Sequence, residues 1–339
     1  MNTSQLIAVA NALVEPGKGL LAADESGPTI AKRLKEIDVE STEENRLAYR
    51  RLLFTTPGIE EFLSGVILFD ETIRQGAEDG TPLPQVLSDK GVIPGIKVDK
   101  GAKPLAGFDG EKVTEGLDGL RDRMAEYYEL GARFAKWRAV IAIGDGMPTT
   151  ACMEANAHAL ARYAALCQEA DIVPIVEPEV LIDGEHTIEQ CRQATAETWY
   201  HLYNQMHRQD VLLEGSLLKA SMVLSGKACA EQASVDEVAE ETVSLARELV
   251  PAAVPGIVFL SGGQSPVRAT EHLNAMNQLG EQPWQLGFSY ARALQGPVMQ
   301  IWRGDRANVE AAQKALYQRA KLNSEAMLGR YSSDMEQAA

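Results

Sequence analysis

Charged side chains interrupt several short apolar runs of this 339-residue sequence. Lys136 lies within the fourth run, and Lys219 ends the sixth. Glu177 and Glu179 stand two residues apart in the fifth run, so they share one face of a strand. Asp24 closes the first run. Charges inside apolar strands are costly unless they are paired or functional, and the pattern therefore predicts a chemical site.

The residue types indicate covalent chemistry on a carbonyl group. A lysine in a partly desolvated site near other cations has a lowered pKa and becomes a neutral amine nucleophile. Lys136 and Lys219 are both candidates for this nucleophile. The carboxylates of Asp24, Glu177 and Glu179 can donate and accept protons if their environments separate their pKa values.

A second group of residues is suited to anions. The cations of Lys97, Arg138 and Arg292 fit phosphate oxygens. The Ser261–Gly262–Gly263 turn precedes a predicted helix at Pro266, which would present backbone N–H groups to an anion. The alternative is a structural ion-pair network inside the fold, which is less consistent with charges near seven of eight strand ends.

Composition excludes several other functions. The formal charge of -16, without a compensating basic stripe, argues against nucleic-acid binding and against an anionic membrane surface. We expect no cofactor and no metal, because the histidines lie in predicted helices and loops away from the strand ends. The four cysteines have no metal-ligand spacing and are expected to be reduced thiols in the cytoplasm. The histidines are His158, His186, His201, His207 and His272, and the cysteines are Cys152, Cys167, Cys191 and Cys229.

Eight strand-length runs alternate with helical patterns and must position these groups. The predicted strands are 19–24, 65–70, 94–99, 132–140, 173–179, 211–219, 256–262 and 285–292. The predicted helices are 117–130, 150–170, 187–208, 234–250, 266–279 and 307–328. Apolar strands alternating with helices indicate a parallel sheet covered on both faces, and eight units favour a closed (β/α)₈ TIM barrel. An open doubly wound sheet is the rival, but no glycine-rich dinucleotide turn follows the first strand.

Helix starts and domain organisation complete this prediction. Capping boxes are predicted at Ser41 with Glu44, at Thr187 with Gln190, and at Ser234 with Glu237. Residues 1–16 are expected to form an extra helix over the barrel end. With no low-complexity linker, residues 1–339 are expected to form a single domain with a helical carboxyl-terminal tail.

At these residues the sequence closely resembles the class I fructose-bisphosphate aldolases. The matching stretches are GKGLLAADES (17–26), GVILFDET (65–72), GIKVDKG (95–101), FAKWR (134–138), IVPIVEPEV (172–180), LLEGSLLK (212–219), FLSGGQS (259–265) and FSYARAL (288–294). The resemblance implies a cytoplasmic, homotetrameric, metal-independent lyase of glycolysis. Its reaction would be the reversible cleavage of fructose 1,6-bisphosphate to dihydroxyacetone phosphate and glyceraldehyde 3-phosphate through a lysine Schiff base.

The same resemblance implies a role for each site residue. Lys219 would form the imine, Glu177 would transfer protons during carbinolamine dehydration, and Asp24 would take the hydroxyl proton. Lys136 and Glu179 would position and polarise the site. The phosphate of the dihydroxyacetone half would bind Arg292, Ser261, Gly262 and Arg33, and the other phosphate would lie toward Ser26 and Lys97.

The sequence departs from the family pattern in three places. Pro28 and Thr29 stand in a loop that commonly reads Ser-Thr-Gly-Ser, so we expect binding of the distal phosphate to differ. Ala291 stands where glycine is common beside the phosphate arginine, and binding should survive if no positive φ is required. The sequence ends at Ala339 without the terminal tyrosine of animal members, so we expect a less efficient proton exchange.

Other activities fit the same sequence. Sedoheptulose bisphosphate or fructose 1-phosphate could be the preferred substrate of the same fold and lysine. A catalytically idle barrel that serves as a binding scaffold is the alternative from another class. It is disfavoured because every side chain that the family chemistry needs is present.

Overall fold

A closed barrel of eight parallel strands forms the centre of the protein. The structure is a computed structural model that describes residues 1–337. The eight strands neighbour one another in the order β1-β10-β9-β8-β7-β6-β3-β2, and β2 closes on β1. The TIM-barrel prediction is therefore confirmed. Barrel strands are β1 Gly19–Ala23, β2 Leu63–Leu68, β3 Ile93–Lys97, β6 Phe134–Ile141, β7 Val173–Val180, β8 Leu217–Ala220, β9 Gly256–Phe259 and β10 Gln285–Tyr290.

Helices surround the barrel and join consecutive strands. They are α1 Thr3–Leu13, α2 Gly27–Lys35, α3 Glu43–Phe54, α4 Asp70–Ile73, α5 Leu83–Asp89, α6 Leu120–Glu129, α7 Thr150–Glu169, α8 Ile188–Arg208, α9 Val235–Leu249, α10 Pro266–Gln278, α11 Arg292–Trp302 and α12 Val309–Met327. The predicted capping boxes at Thr187 and Ser234 are confirmed. The one at Ser41 is wrong, because Thr42 caps α3 by accepting from the Asn45 N–H.

The sixth barrel strand is shorter than predicted. Residues 213–215 form a 3₁₀ turn instead of extended strand. The Gln168 side chain accepts from the Leu212 N–H and donates to the carbonyls of Leu212 and Gly215. These bonds satisfy the backbone outside the sheet, so the segment needs no ladder partner. A short hairpin, β4 Ala102–Pro104 with β5 Lys112–Thr114, also escaped prediction.

The interior of the barrel is packed with side chains and closed at one end by α1. Leu6, Ala10 and Leu13 of this helix are fully buried against inward-facing strand residues, and the predicted amino-terminal helix is confirmed. The Phe134 ring fills the space that a side chain at Gly95 would need, since a Cβ there would lie 2.3 Å from it. This packing fixes the strands whose opposite ends carry the polar residues.

Cys152, Cys167 and Cys191 are buried thiols, as predicted, and Cys229 is partly exposed. Within residues 1–337, no helix is long and apolar enough to cross a bilayer.

Candidate active site

The predicted site residues come together at the carboxyl ends of the barrel strands. They line a single cleft of 610 Å³, in which side chains from several strands and from the first turns of α2 and α11 meet. The twelve predicted residues in this cleft are Asp24, Ser26, Arg33, Lys97, Lys136, Arg138, Glu177, Glu179, Lys219, Ser261, Gly262 and Arg292.

Two lysines and two carboxylates form the buried centre of the cleft. Lys136 Nζ lies 2.7 Å from Asp24 Oδ2 and 3.1 Å from Glu177 Oε2. Lys219 Nζ lies 3.2 Å from the other oxygen, Glu177 Oε1. Glu177 therefore bridges the two lysines, while Asp24 contacts Lys136. Both lysine side chains are only 4% exposed, so these charges interact with little screening by water.

Electrostatic interactions shift the pKa values of the charged groups in this centre in different directions. Burial alone would raise the pKa values of Asp24 and Glu177, but the ammonium groups of Lys136 and Lys219 outweigh burial and lower both. Burial likewise opposes the charge of Lys136, but the Asp24, Glu177 and Asp99 carboxylates raise its pKa. The expectation of a lowered pKa at Lys136 is therefore wrong. Two carboxylates at contact distance stabilise its ammonium form more than the second lysine destabilises it.

Two further ion pairs extend from this centre. Arg138 Nε donates to Glu179 Oε2, and this contact outweighs burial to raise the pKa of Arg138. Lys97 Nζ lies 2.8 Å from Asp99 Oδ1. The second Asp99 oxygen accepts from the Arg138 N–H at 3.2 Å, which connects β3 to β6. Part of the predicted charge constellation is thus mutually paired.

One end of the cleft has the features of an anion site. Gly262 and Gly263 have φ values of 56° and 97°, a left-handed loop in which their N–H groups find no backbone or side-chain acceptor within residues 1–337. The α11 N-terminus lies beside this loop, because Ala291 and Arg292 both line the cleft. Arg292 has no carboxylate within 4.0 Å among the described residues. The free N–H groups of the Gly262–Gly263 loop, the N-terminus of α11 and an unpaired arginine together suit a phosphate.

The helix that contributes to this anion site differs from the predicted one. Ser265 caps α10 by accepting from the Arg268 N–H, and Pro266 has no N–H to offer. Neither Ser265 nor Pro266 lines the cleft, whereas the start of α11 does. Ala291 has φ -103°, so this position does not require the positive φ that favours glycine, in agreement with the sequence analysis.

The wall of the cleft beside β1 is built around Glu25, which sequence reasoning missed. Its carboxylate pairs with Arg33 and lies 2.7 Å from Arg50 Nη2. Gln295 donates to Glu25 Oε1 at 3.0 Å and to the carbonyl oxygen of Ala22 at 2.6 Å. Glu25 thereby holds Arg33 against the first strand. In the sequence, only the AADES stretch points to Glu25, because its partners Arg50 and Gln295 are distant along the chain.

The loop between β1 and α2 accommodates its unusual residues. Ser26 is the N-cap of α2, and Pro28 lies in the first turn, where a missing N–H interrupts no helical hydrogen bond. Thr29 Oγ1 lies 3.1 Å from Ser26 Oγ, and both residues line the cleft. Ser289, also missed, lines the cleft with a buried hydroxyl that has no partner in the described part of the chain.

The histidines stand apart from the cleft lining. His272 is buried and bonds to Gln264, and burial lowers its pKa to about 4. No group of three or more His, Cys, Asp or Glu side chains within residues 1–337 is arranged to bind a metal ion.

A parallel (β/α)₈ barrel with a buried lysine–carboxylate centre beside an anion site suits a lyase that forms an imine with a sugar phosphate. The family model for fructose-bisphosphate aldolase class-I matches residues 5–339. The chain therefore belongs to the class I fructose-bisphosphate aldolase family. It is a metal-independent lyase of glycolysis that cleaves fructose 1,6-bisphosphate reversibly through a Schiff base.

Individual relatives agree with this family. A probable fructose-bisphosphate aldolase class 1 of Xanthomonas campestris is 59% identical, covering 98% of this chain and 99% of its own. The cytosolic fructose-bisphosphate aldolase 6 of Arabidopsis thaliana is 54% identical, covering 97% and 92%. A crystal structure of fructose-bisphosphate aldolase from Plasmodium falciparum, in complex with TRAP and a small-molecule inhibitor, has a TM-score of 0.96 at 48% identity. It aligns over 97% of this chain and 96% of its own.

Proposed function

We propose that Lys219 is the amine that forms the imine with the substrate carbonyl. The observation that supports this choice is the asymmetry between the two lysines. Lys136 contacts two carboxylates, Asp24 and Glu177, which raise its pKa and keep it an ammonium ion. Lys219 contacts a single carboxylate, Glu177, within the described residues. Lys136 is therefore the electrostatic partner of the centre and Lys219 its nucleophile.

The remaining groups are placed for the proton transfers. Glu177, a carboxylate because of its lowered pKa, takes a proton from the Lys219 ammonium group, and the resulting amine adds to C2 of the open-chain sugar. The added nitrogen passes a proton to the former carbonyl oxygen, and Glu177 returns its proton to this hydroxyl group, which leaves as water. Asp24, a carboxylate because of its lowered pKa, then takes the proton from the C4 hydroxyl. The C3–C4 bond breaks, its electrons enter the protonated imine, and glyceraldehyde 3-phosphate departs. Protonation of the enamine at C3 and hydrolysis release dihydroxyacetone phosphate and restore the Lys219 amine.

The two ends of the cleft fit the two phosphates of the substrate. Arg292, Ser261 and the Gly262 N–H would hold the phosphate of the dihydroxyacetone half, with Arg33 nearby. Lys97, Arg138 and the Ser26 hydroxyl would face the distal phosphate, and Glu179 would orient Arg138 through their ion pair. All of these residues line the same cleft, which is open enough for a bisphosphate.

The nucleophile is tested by trapping the imine. The protein is incubated with dihydroxyacetone phosphate and excess chelator, reduced with borohydride, digested and mapped by mass spectrometry. We expect one stable adduct, on Lys219. The matched variants Lys219→Met and Lys136→Met separate the two lysines, since only the first should remove the adduct completely. An adduct on Lys136 would reverse the proposed roles, and the absence of any adduct would refute the imine at this centre.

The assembly and location are also proposals. We propose a homotetramer in the cytoplasm, as the family resemblance implies, with sugar phosphates as its small-molecule partners and no nucleic acid or membrane partner. Light scattering after size exclusion tests the subunit number, with an expected mass four times that of the 36.8 kDa chain. A mass equal to that of one or two chains would contradict it.

A further inference from the structure

The side chains of Lys227 and Arg292 converge on Gly263, which belongs to the Gly262–Gly263 loop at the anion site. A Cβ built on Gly263 would lie 2.8 Å from Lys227 Nζ and 3.2 Å from Arg292 Nη2. The two side chains therefore occupy the space left by the missing side chain of this glycine, with their charged ends close together. Like charges repel at such a distance, and an anion bound beside them removes the repulsion. A second cation, which the family resemblance does not assign, thus lies beside Arg292 at the Gly262–Gly263 loop.

The backbone fixes the position of Lys227. The loop after β8 pairs with the loop after β7, because the N–H groups of Gly226, Lys227 and Ala228 donate to carbonyls of residues 182–186 at 2.8 to 2.9 Å. Gly226 lies so close to Gly184 that a Cβ would meet its carbonyl oxygen at 2.4 Å. This close pairing holds the backbone of Lys227 where its side chain reaches Gly263.

The charge of Lys227 remains available to a ligand. Its partner in the structure is Asp183, at 3.0 Å, and the two side chains are 45% and 71% exposed. Ion pairs exposed to this extent are weak, because water solvates both partners. Lys227 can therefore exchange Asp183 for a phosphate at low cost, whereas Arg292 has no carboxylate within 4.0 Å in the described residues.

We propose that Lys227 is a further substrate-binding residue, which contacts the phosphate of the dihydroxyacetone half together with Arg292. This inference rests on the proposed assignment of that phosphate to the Gly262–Gly263 loop. The contact is the same in the ground state and the transition state, so it should change KM and leave kcat almost unaltered. Both fructose 1,6-bisphosphate and fructose 1-phosphate carry this phosphate, and both should respond equally.

The test compares Lys227→Met with Asp183→Asn and with Lys314→Met, a lysine in an exposed ion pair with Glu310 on α12. For Lys227→Met we expect KM for both substrates, and the inhibition constant of inorganic phosphate, to rise about fivefold to tenfold. The effect should diminish at high salt, and Lys227→Arg should restore most of the affinity. Asp183→Asn and Lys314→Met should leave KM within about twofold, and the melting temperature of each variant checks folding.

Three outcomes would overturn the inference in distinguishable ways. Equal increases in KM for Lys227→Met and Asp183→Asn would show that the ion pair acts only by holding the two loops together. In the second outcome, Lys227→Met leaves KM and the inhibition constant of phosphate unchanged while Arg292→Ala raises both strongly. That result would exclude Lys227 from the phosphate site and leave the assignment of the phosphate to the Gly262–Gly263 loop intact. If neither Lys227→Met nor Arg292→Ala affects phosphate binding, the proposed phosphate site itself fails.

Discussion

Removing the Lys136 charge is the most direct perturbation of the buried centre. Lys136→Met keeps the length of the side chain and leaves Asp24 and Glu177 without their shared ammonium partner at 2.7 and 3.1 Å. Removal of one partner of a buried ion pair costs about 3–5 kcal/mol. We expect a loss of unfolding free energy in that range at pH 7.5 and a fall in kcat of about 10²-fold to 10⁴-fold, typical of a lost proton-transfer environment.

The pH dependence of this loss gives a sharper test. In the parent protein the lowered pKa values of Asp24 and Glu177 contribute stability that is complete above their ordinary values, 3.8 and 4.5. That contribution is lost as the pH falls through the lowered folded-state values. Without Lys136 the folded-state pKa values rise, so the carboxylates protonate earlier during acidification. The stability difference between the two proteins should therefore narrow as the pH falls from 8 toward 4.

Urea unfolding, followed by tryptophan fluorescence at one fixed protein concentration, measures this difference. Trp137 is fully buried on the face of β6 opposite Lys136, against Tyr163 of α7, and reports on unfolding of the barrel. Asp24→Asn in the Lys136→Met background should recover part of the stability, because it removes one unpaired charge without changing shape. A loss below about 1 kcal/mol at pH 7.5 would refute the reasoning. A difference that is constant or widens on acidification would also refute it.

Two further predictions concern the distal phosphate and the barrel interior. Lys97→Met should raise KM for fructose 1,6-bisphosphate about fivefold to thirtyfold and leave fructose 1-phosphate almost unaffected. Steady-state kinetics with both sugars measures this, and equal changes would contradict the assignment of Lys97. Gly95→Ala should destabilise the fold by about 1–3 kcal/mol, because its Cβ would meet the Phe134 ring at 2.3 Å. Urea unfolding checks this value, and recovery in Gly95→Ala with Phe134→Leu would identify the clash as its cause.

The sequence was sufficient to predict the barrel, and the site residues that it suggested line one cleft. Apolar strands ending in charged residues have few alternatives, since the carboxyl ends of all eight strands meet at one mouth. The alternation in β6 and β7 correctly grouped Lys136 with Arg138, and Glu177 with Glu179, in the same cleft. Periodicity is a local property, so it needed no knowledge of how the barrel closes.

The ion-pair partners of the site residues could not be predicted, because they depend on how the barrel closes. Lys136 on β6 bonds to Asp24 at the end of β1, two strands that are not neighbours in the barrel. From the sequence we therefore expected each lysine to lower the pKa of the other. In the structure, carboxylates that include one from across the barrel raise the pKa of Lys136 instead. Glu25 escaped for the same reason, since Arg50 and Gln295 reach it from α3 and α11.

The two ends of the cleft differ in how far their cations are already neutralised. Arg292 has no carboxylate within 4.0 Å in the described residues, whereas Lys97 lies 2.8 Å from Asp99 and Arg138 pairs with Glu179. A phosphate at the distal end must therefore compete with existing ion pairs, so its net contribution to binding is smaller than at the Arg292 end. Hence Arg292→Ala should impair both sugar phosphates more than Lys97→Met impairs the bisphosphate. In the proposed arrangement the dihydroxyacetone half anchors the substrate, while the distal half adds affinity and sets the preference among sugars.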